Sequence, residues 1–390
     1  MSLMNRLETD DLTHVFAHTP ESLATVFRGW GLPAYRARQV LGWVYQKSVC
    51  DLEAMTDLGK RDREIIRERL RFVSGDVIKH QRATDGVQKL LVQWPAPPTS
   101  SQSDEALETD QQHEPKAVGL PVSGVPAGMR TECVMIPSEN EGGGSRKTAC
   151  ISSQAGCPVG CRFCASGMEG LEANLTAGQI VEQVWQLGRL PGVGRISNVV
   201  FMGMGEPLAN LGAVTSAIRT MSAGWGLGIG SRRITVSTVG LPAQIRRLAD
   251  LELPITLAIS LHAPNDTLRR ELIPWAEYVT VQQLIDAGQH YFKKTGREIT
   301  LEYILLRDVN DQPEHARELA RVARKLRSNI NLIRYNEVDA LPFGRPRKDD
   351  VLAFQQVLRE AGANVHIRAS RGRDIAAACG QLKYEAAGKT

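Results

Sequence analysis

The chain has 390 residues, 42% hydrophobic and 23% charged, values that exclude a disordered or fibrous chain and allow a sizeable core. Lys plus Arg (47) barely exceeds Asp plus Glu (43), so the net charge of +4 permits nucleic-acid binding without arguing for it. No apolar run reaches the length of a membrane span and residues 1–10 lack the apolar stretch of a signal peptide, so a cytoplasmic protein with no membrane partner is expected.

Three helices are predicted first. Segments 20–28, 34–47 and 60–71 carry apolar residues at helical spacing, separated by Gly, Pro and Asp. Their basic residues Arg36, Arg38, Lys60, Arg61 and Arg63 suit folded RNA and equally suit a solvated helix face. Strands are predicted at 87–94 and 131–136. Between them, residues 95–128 are rich in Pro, Ser, Gln, Gly and acidic residues, too polar to bury themselves, and read as a surface insertion in a hairpin. Residues 141–145 read as a second, smaller insertion. The expected division is a helical accessory domain (1–94), a flexible insertion (95–128) and a barrel with a C-terminal cysteine segment (129–390).

From Cys150 onward the pattern alternates. Apolar runs at 149–153, 198–202, 234–238, 255–261, 299–305 and 331–335 are separated by amphipathic segments such as 176–187, 281–293 and 313–326. Strand–helix alternation with near-continuous apolar strands argues for a parallel sheet covered by helices. Six units give a partial (β/α)6 barrel, α/β in class, with a doubly wound sheet as the alternative. Either places the chemistry at the carboxyl ends of the strands. Gly226, Gly228 and Gly230 form a G-x-G-x-G string with no strand before it, so it reads as a flexible loop rather than a dinucleotide fingerprint.

Seven cysteines in a cytoplasmic chain need a chemical explanation. Cys157, Cys161 and Cys164 lie in a C-x3-C-x2-C loop just after the first barrel strand. Three close thiolates can hold three irons of a cubane cluster and leave the fourth open. Cys150 could instead complete a four-thiolate zinc site, although such sites usually pair two separated knuckles. Cys161 and Cys164 could form a redox pair, which would leave Cys157 idle.

That spacing resembles the radical S-adenosylmethionine superfamily. Further stretches resemble its RlmN/Cfr-type adenine methyltransferases. They are Cys150-Ile151-Ser152-Ser153-Gln154, Phe201-Met202-Gly203-Met204-Gly205-Glu206-Pro207, Ser237-Thr238-Val239-Gly240, Ser260-Leu261-His262, Leu332-Ile333-Arg334-Tyr335-Asn336 and the run from Arg371 to Leu382 around Cys379. In the N-terminal part Tyr35-Arg36-Ala37-Arg38-Gln39, Trp43 and Tyr45 also fit.

The resemblance implies a [4Fe–4S] cluster on Cys157, Cys161 and Cys164, whose open iron takes S-adenosylmethionine and yields a 5′-deoxyadenosyl radical. It assigns Gly205, Glu206, Ser237, Ser260, Leu261, His262 and Asn336 to that cofactor, two molecules of which are used per turnover. It makes Cys379 a methyl carrier, Cys150 the thiol that releases the product through a transient disulfide, and Glu132 the acceptor of the ring proton. Taken alone, Cys379 reads as a small buried hydrophobe and Glu132 as a solvated edge carboxylate. Cys133 and Cys50 read as structural. The implied substrates are 23S rRNA and tRNA, with a reducing donor such as flavodoxin or ferredoxin and a monomeric enzyme. Pro207 after Glu206 resembles the RlmN type, which methylates carbon-2 of adenosine, rather than the Cfr type, which methylates carbon-8. A radical enzyme acting on a peptide or small molecule, and a zinc-stabilised RNA-binding module, are the readings from other classes.

Overall fold

The computed structural model describes residues 12–95, 128–139 and 145–383. The two expected insertions, 95–128 and 141–145, fall almost wholly outside the described residues. Strand β1 (Thr13–His14) leads into helices α1 (Pro20–Gly29), α2 (Tyr35–Tyr45) and α3 (Lys60–Arg69), and β2 (Leu70–Arg71) returns parallel to β1. Helix α1 opens on a capping box between Thr19 and Ser22 with Pro20 in its first turn. Helix α2 buries Ala37, Val40, Leu41 and Val44, the spacing of one helical face.

Next come β3 (Asp76–Arg82), β4 (Gln88–Gln93), β5 (Arg130–Glu139) and β6 (Ser145–Cys150), each antiparallel to its neighbour. Strands β7 (Gln154–Gly156) and β8 (Leu171–Asn174) form a separate two-stranded ribbon. The remaining chain alternates: α4 (Ala177–Gly188), β9 (Asn198–Phe201), α5 (Leu211–Ser222), β10 (Ile234–Thr238), α6 (Pro242–Asp250), β11 (Thr256–Ser260), α7 (Asp266–Leu272), α8 (Val281–Thr295), β12 (Ile299–Leu305), α9 (Pro313–Ala323), β13 (Ser328–Arg334), α10 (Lys348–Glu360) and β14 (Val365–Arg368).

One sheet of ten strands runs β14-β13-β12-β11-β10-β9-β6-β5-β4-β3. From β6 to β14 every pairing is parallel, which gives the expected α/β partial barrel. It has seven parallel strands rather than six, because β14 is too short and polar to carry a strand signal. The sheet also crosses residue 94 without a break, since β4 pairs with β5 and β5 with β6. Every residue of β12 is buried, as a strand covered on both faces requires. At the other edge β3 is almost wholly exposed and carries Lys79 and Arg82, charges that discourage edge-to-edge pairing.

The N-terminal helices are held to the barrel through α4. Trp185 donates its indole N–H to Val44 O at 2.9 Å. The buried Glu182 carboxylate accepts from Ser74 N, Ser74 Oγ and Gly75 N and sits 2.9 Å from His14 Nε2. A buried charge is tolerable when surrounded by donors in this way. Among the described residues no helix is long and apolar enough to cross a membrane.

Candidate active site

The cysteine loop begins where β7 ends. Gly156 has φ +72°, and a Cβ there would lie 2.0 Å from Gly170 O on the adjoining ribbon, so only glycine fits. The loop is pinned by Arg162 N to Leu272 O at 3.0 Å and by Cys164 N to Cys161 O at 3.1 Å. Cys157, Cys161 and Cys164 line one cavity of ≈ 150 Å³ together with Glu206, Ser237 and Cys379.

Burial pushes the Cys157 thiol up to about 12, and neighbouring Cys164 adds to the rise. Burial likewise raises Cys161, helped by Cys164 and Cys157, and raises Cys164, helped by Cys379. Three half-buried thiols that hinder one another's ionisation become thiolates readily only beside a cationic centre. Among the described residues no three His, Cys, Asp or Glu side chains converge on one point as a single-ion site. In a cubane each thiolate takes its own iron, so the three need not converge. The donor set therefore fits an iron–sulfur cluster better than a zinc ion.

The expected cofactor residues gather around this cavity, with two exceptions. Gly205, Glu206, Ser237, Ser260 and His262 line it, the two serine hydroxyls 3.1 Å apart. Gly205 has φ +100° and packs so tightly on Gln154 that a Cβ would approach Gln154 Cβ to 2.6 Å. Its conformation and this approach alone require glycine. Glu206 accepts from Leu208 N at 3.0 Å and Val239 N at 2.8 Å, and burial pushes its carboxyl up to about 7 against those bonds. His262 accepts Ile304 N on Nδ1 at 3.1 Å, and burial pushes the imidazole down to about 3, so it stays neutral. Leu261 turns instead into the main apolar core. Asn336 borders the neighbouring cavity, where its amide donates to Cys379 O at 3.3 Å.

Cys379 lies in a segment, 372–383, that bends back over the carboxyl ends of the strands. The segment is tied down by Ala165 N to Gly380 O at 2.8 Å and Ser166 Oγ to Leu382 O at 2.5 Å. A second cavity, of ≈ 310 Å³, lies beside the first and is lined by Cys150, Arg368 and again Cys379. Cys379 thus borders both the three-cysteine cavity and the Cys150 cavity. Both Cys150 and Cys379 are free thiols. Burial pushes Cys150 up to about 12, Cys379 adds to the rise, and Arg368 opposes it.

Glu132 faces the same side of the sheet as Cys150, because both align with the Val134 row of β5. It opens nonetheless onto a third cavity, of ≈ 630 Å³, which Cys379 does not line. Its carboxylate is buried rather than solvated and pairs with Lys89. Cys133 points to the opposite face and is wholly buried, while Cys50 packs beside the main core.

Three residues here have no motif to mark them in the sequence: Lys89, Arg368 and Glu302. Glu302 lies in the three-cysteine cavity, fully buried on β12, and accepts from Asn331 Nδ2 at 3.0 Å. A lone acidic residue within the apolar run 299–305 is the one signal available for it. The G-x-G-x-G string is not a loose loop: Gly226 N and Gly228 N both bond to Ala223 O.

Comparison with known proteins agrees with this geometry. Residues 151–320 match the Radical SAM superfamily, and residues 14–71 match the ribosomal RNA large subunit methyltransferase N-terminal domain. A probable dual-specificity RNA methyltransferase RlmN of Gloeobacter violaceus is 40% identical over 372 residues, covering 95% of each chain. The dual-specificity RNA methyltransferase RlmN of Dichelobacter nodosus is 38% identical, covering 95% of this chain and 93% of its own. Among solved structures, a radical SAM methyltransferase from Sphaerobacter thermophilus superposes with TM-score 0.82 at 38% identity, over 95% of this chain and 99% of that one. With relatives of that identity along almost its whole length, and a cysteine loop at the carboxyl ends of a partial barrel, the chain belongs to the RlmN family of radical S-adenosylmethionine RNA methyltransferases.

Proposed function

We propose that this chain methylates carbon-2 of an adenosine in 23S rRNA, and of an adenosine in tRNA, by way of a methyl group carried on Cys379. The observation that carries the reading is the position of Cys379, on the shared wall between the three-cysteine cavity and the Cys150 cavity. A methyl carrier needs access to the methyl donor on one side and to a releasing thiol on the other.

In this reading Cys157, Cys161 and Cys164 hold the [4Fe–4S] cluster, and Gly205, Glu206, Ser237, Ser260, His262 and Asn336 hold S-adenosylmethionine. When bound, that pair supplies the methyl group and a 5′-deoxyadenosyl radical. The Cys379 sulfur accepts the methyl by displacement. An aromatic C–H carbon is no nucleophile, so a carrier that becomes bonded to the ring is the chemical need Cys379 meets. Glu132 accepts the ring proton, which requires the 372–383 segment to shift, because a base acts only within hydrogen-bond reach. Cys150 then attacks the Cys379 sulfur and frees the methylated base, leaving a disulfide to be reduced. Asn336, bonded to Cys379 O, also steadies the carrier backbone. The enzyme works in the cytoplasm as a monomer and draws electrons from a flavodoxin or ferredoxin.

The test is mass spectrometry of 23S rRNA fragments and tRNA after incubation with the reconstituted enzyme and methyl-labelled cofactor. The expected product is 2-methyladenosine, and 8-methyladenosine would assign the Cfr-type outcome instead. Cys379→Ala yields no methylated RNA, and Cys150→Ala traps protein covalently bound to RNA. Normal turnover by either variant overturns the carrier mechanism.

A further inference from the structure

A cavity of ≈ 830 Å³ that takes no part in this chemistry lies between the N-terminal helices and the barrel. Its walls are the end of α2 with Tyr45 and Lys47, the end of α4 with Trp185 and Arg189, Arg195 before β9, and the glycine turn 224–228 before β10. These are the amino ends of β9 and β10. The cysteine loop lies at their carboxyl ends, roughly 15 Å away along strands that rise about 3.3 Å per residue.

The charge of this cavity is one-sided. Lys47, Arg189 and Arg195 line it and no Asp or Glu does. Among the described residues none of the three has a carboxylate within ion-pair distance. Several basic residues of the N-terminal helices differ: Arg36 pairs with Asp62 at 2.8 Å, Arg63 with Glu53 at 2.9 Å and Arg38 with Glu21 at 3.6 Å. Lys47 sits 3.3 Å over the Trp43 ring and Arg189 sits 4.6 Å over Trp185, so aromatic faces hold these cations in place. Arg195 spends one donor on Gly228 O at 2.9 Å, and a guanidinium has five.

A second observation is independent of charge. Tyr45 is only 6% exposed, lines this cavity, and its hydroxyl has no hydrogen-bond partner among the described residues. A buried phenol without a partner is costly, and a small side-chain shift that brought it to an accepting oxygen of a ligand here would satisfy it. Cations on aromatic supports beside an unpaired donor are what a phosphate oxygen requires.

We propose that this cavity is a phosphate-binding site for the RNA substrate, gripping the sugar–phosphate backbone at the end of the barrel opposite the cysteine loop. The proposal rests on RNA being the substrate. A grip of this kind positions the RNA without reading its sequence.

The test is equilibrium binding of a full-length tRNA transcript to the full chain across a range of salt. Lys47→Ala with Arg195→Ala weakens binding about tenfold or more and lowers the slope of log affinity against log salt by about two, roughly one for each cation removed. Lys47→Arg with Arg195→Lys keeps the charges and keeps the slope, which separates electrostatics from damage to the fold. Tyr45→Phe weakens binding severalfold with the slope unchanged, because it removes a neutral donor. Unaltered affinity and slope in the double alanine variant overturn the proposal, as does a conservative pair as weak as the alanine pair. Binding is read without turnover. Salt-sensitive binding through this site by a protein that methylates no RNA would sink the methyl-transfer reading alone.

Discussion

The ammonium of Lys89 lies 2.8 Å from Oε1 of Glu132, and both side chains are less than one-tenth exposed. The same ammonium donates to Ala376 O at 3.1 Å, and Glu132 Oε2 accepts Lys383 N at 3.0 Å. One buried ion pair therefore grips the carrier segment both before and after Cys379. Lys89→Met removes the cation 2.8 Å from a buried carboxylate, a kind of loss that costs about 3–5 kcal/mol in comparable sites. The expected result is a lower melting temperature together with slower transfer of label from the cofactor to Cys379. Wild-type values for both would show that the clamp holds nothing.

Glu132→Gln separates proton removal from methyl loading. In the proposed mechanism loading takes place at the Cys379 sulfur and needs no base on β5. Because Glu132 is also half of the clamp, loading should slow without being abolished: peptide mass spectrometry is expected to find Cys379 methylated after long incubation, while the RNA gains no methyladenosine. Methylated RNA at the wild-type rate would remove Glu132 from the reaction.

Arg368 bears on Cys150, the thiol proposed to release the product. It lies on β14, borders Cys150 and Cys379, and opposes the burial that pushes Cys150 up. Arg368→Met removes that opposition, so the Cys150 thiol rises further and less of it is thiolate at any given pH. Each unit of rise removes about nine-tenths of the thiolate. Turnover is expected to fall about tenfold and the covalent RNA–protein species to accumulate. With the thiol at about 12, both proteins should speed up about tenfold per unit of pH in the working range, the variant's profile displaced from the wild type's by a constant factor. A pH profile that does not move would show that the arginine merely packs there.

Much of this fold is legible directly. The runs 234–238 and 299–305 coincide with β10 and β12, because strands buried on both faces draw mainly on β-branched and apolar residues. Strand β3 gives no such signal because, exposed along its length, it has no apolar face to alternate. Strand β14 is four residues with His366 and Arg368 among them, too short and polar to stand out. The cysteine loop and strand-end residues are legible because each lies within a short local motif. Lys89 and Glu132 cannot be read as a pair, since they meet diagonally across β4 and β5, strands separated by residues 94–129. Nothing local to Cys379 tells a carrier from a core residue. Its flanking Ala377 and Ala378 are indeed buried, and only the return of the segment over the barrel brings Cys379 to both cavities.

Glu206 links stability to pH in the direction opposite to most carboxylates. Its carboxyl rises from 4.5 to about 7 in the folded chain, chiefly through burial. A group that binds its proton more tightly when folded costs stability as pH climbs from its unfolded value through its folded one. The penalty therefore begins near pH 4.5, grows to about pH 7 and is constant above. At 1.36 kcal/mol per unit its ceiling is about 3 kcal/mol. Glu206→Gln keeps the shape without the charge, so the cluster-free variant should melt higher than wild type at about pH 8 and no higher at about pH 4.5. In the proposed mechanism the same variant should bind S-adenosylmethionine more weakly once the cluster is rebuilt, because it lacks the carboxylate proposed to accept from the cofactor's amino group. A variant that gained no stability at the higher pH would mean that the Leu208 and Val239 amides already compensate the buried charge in full.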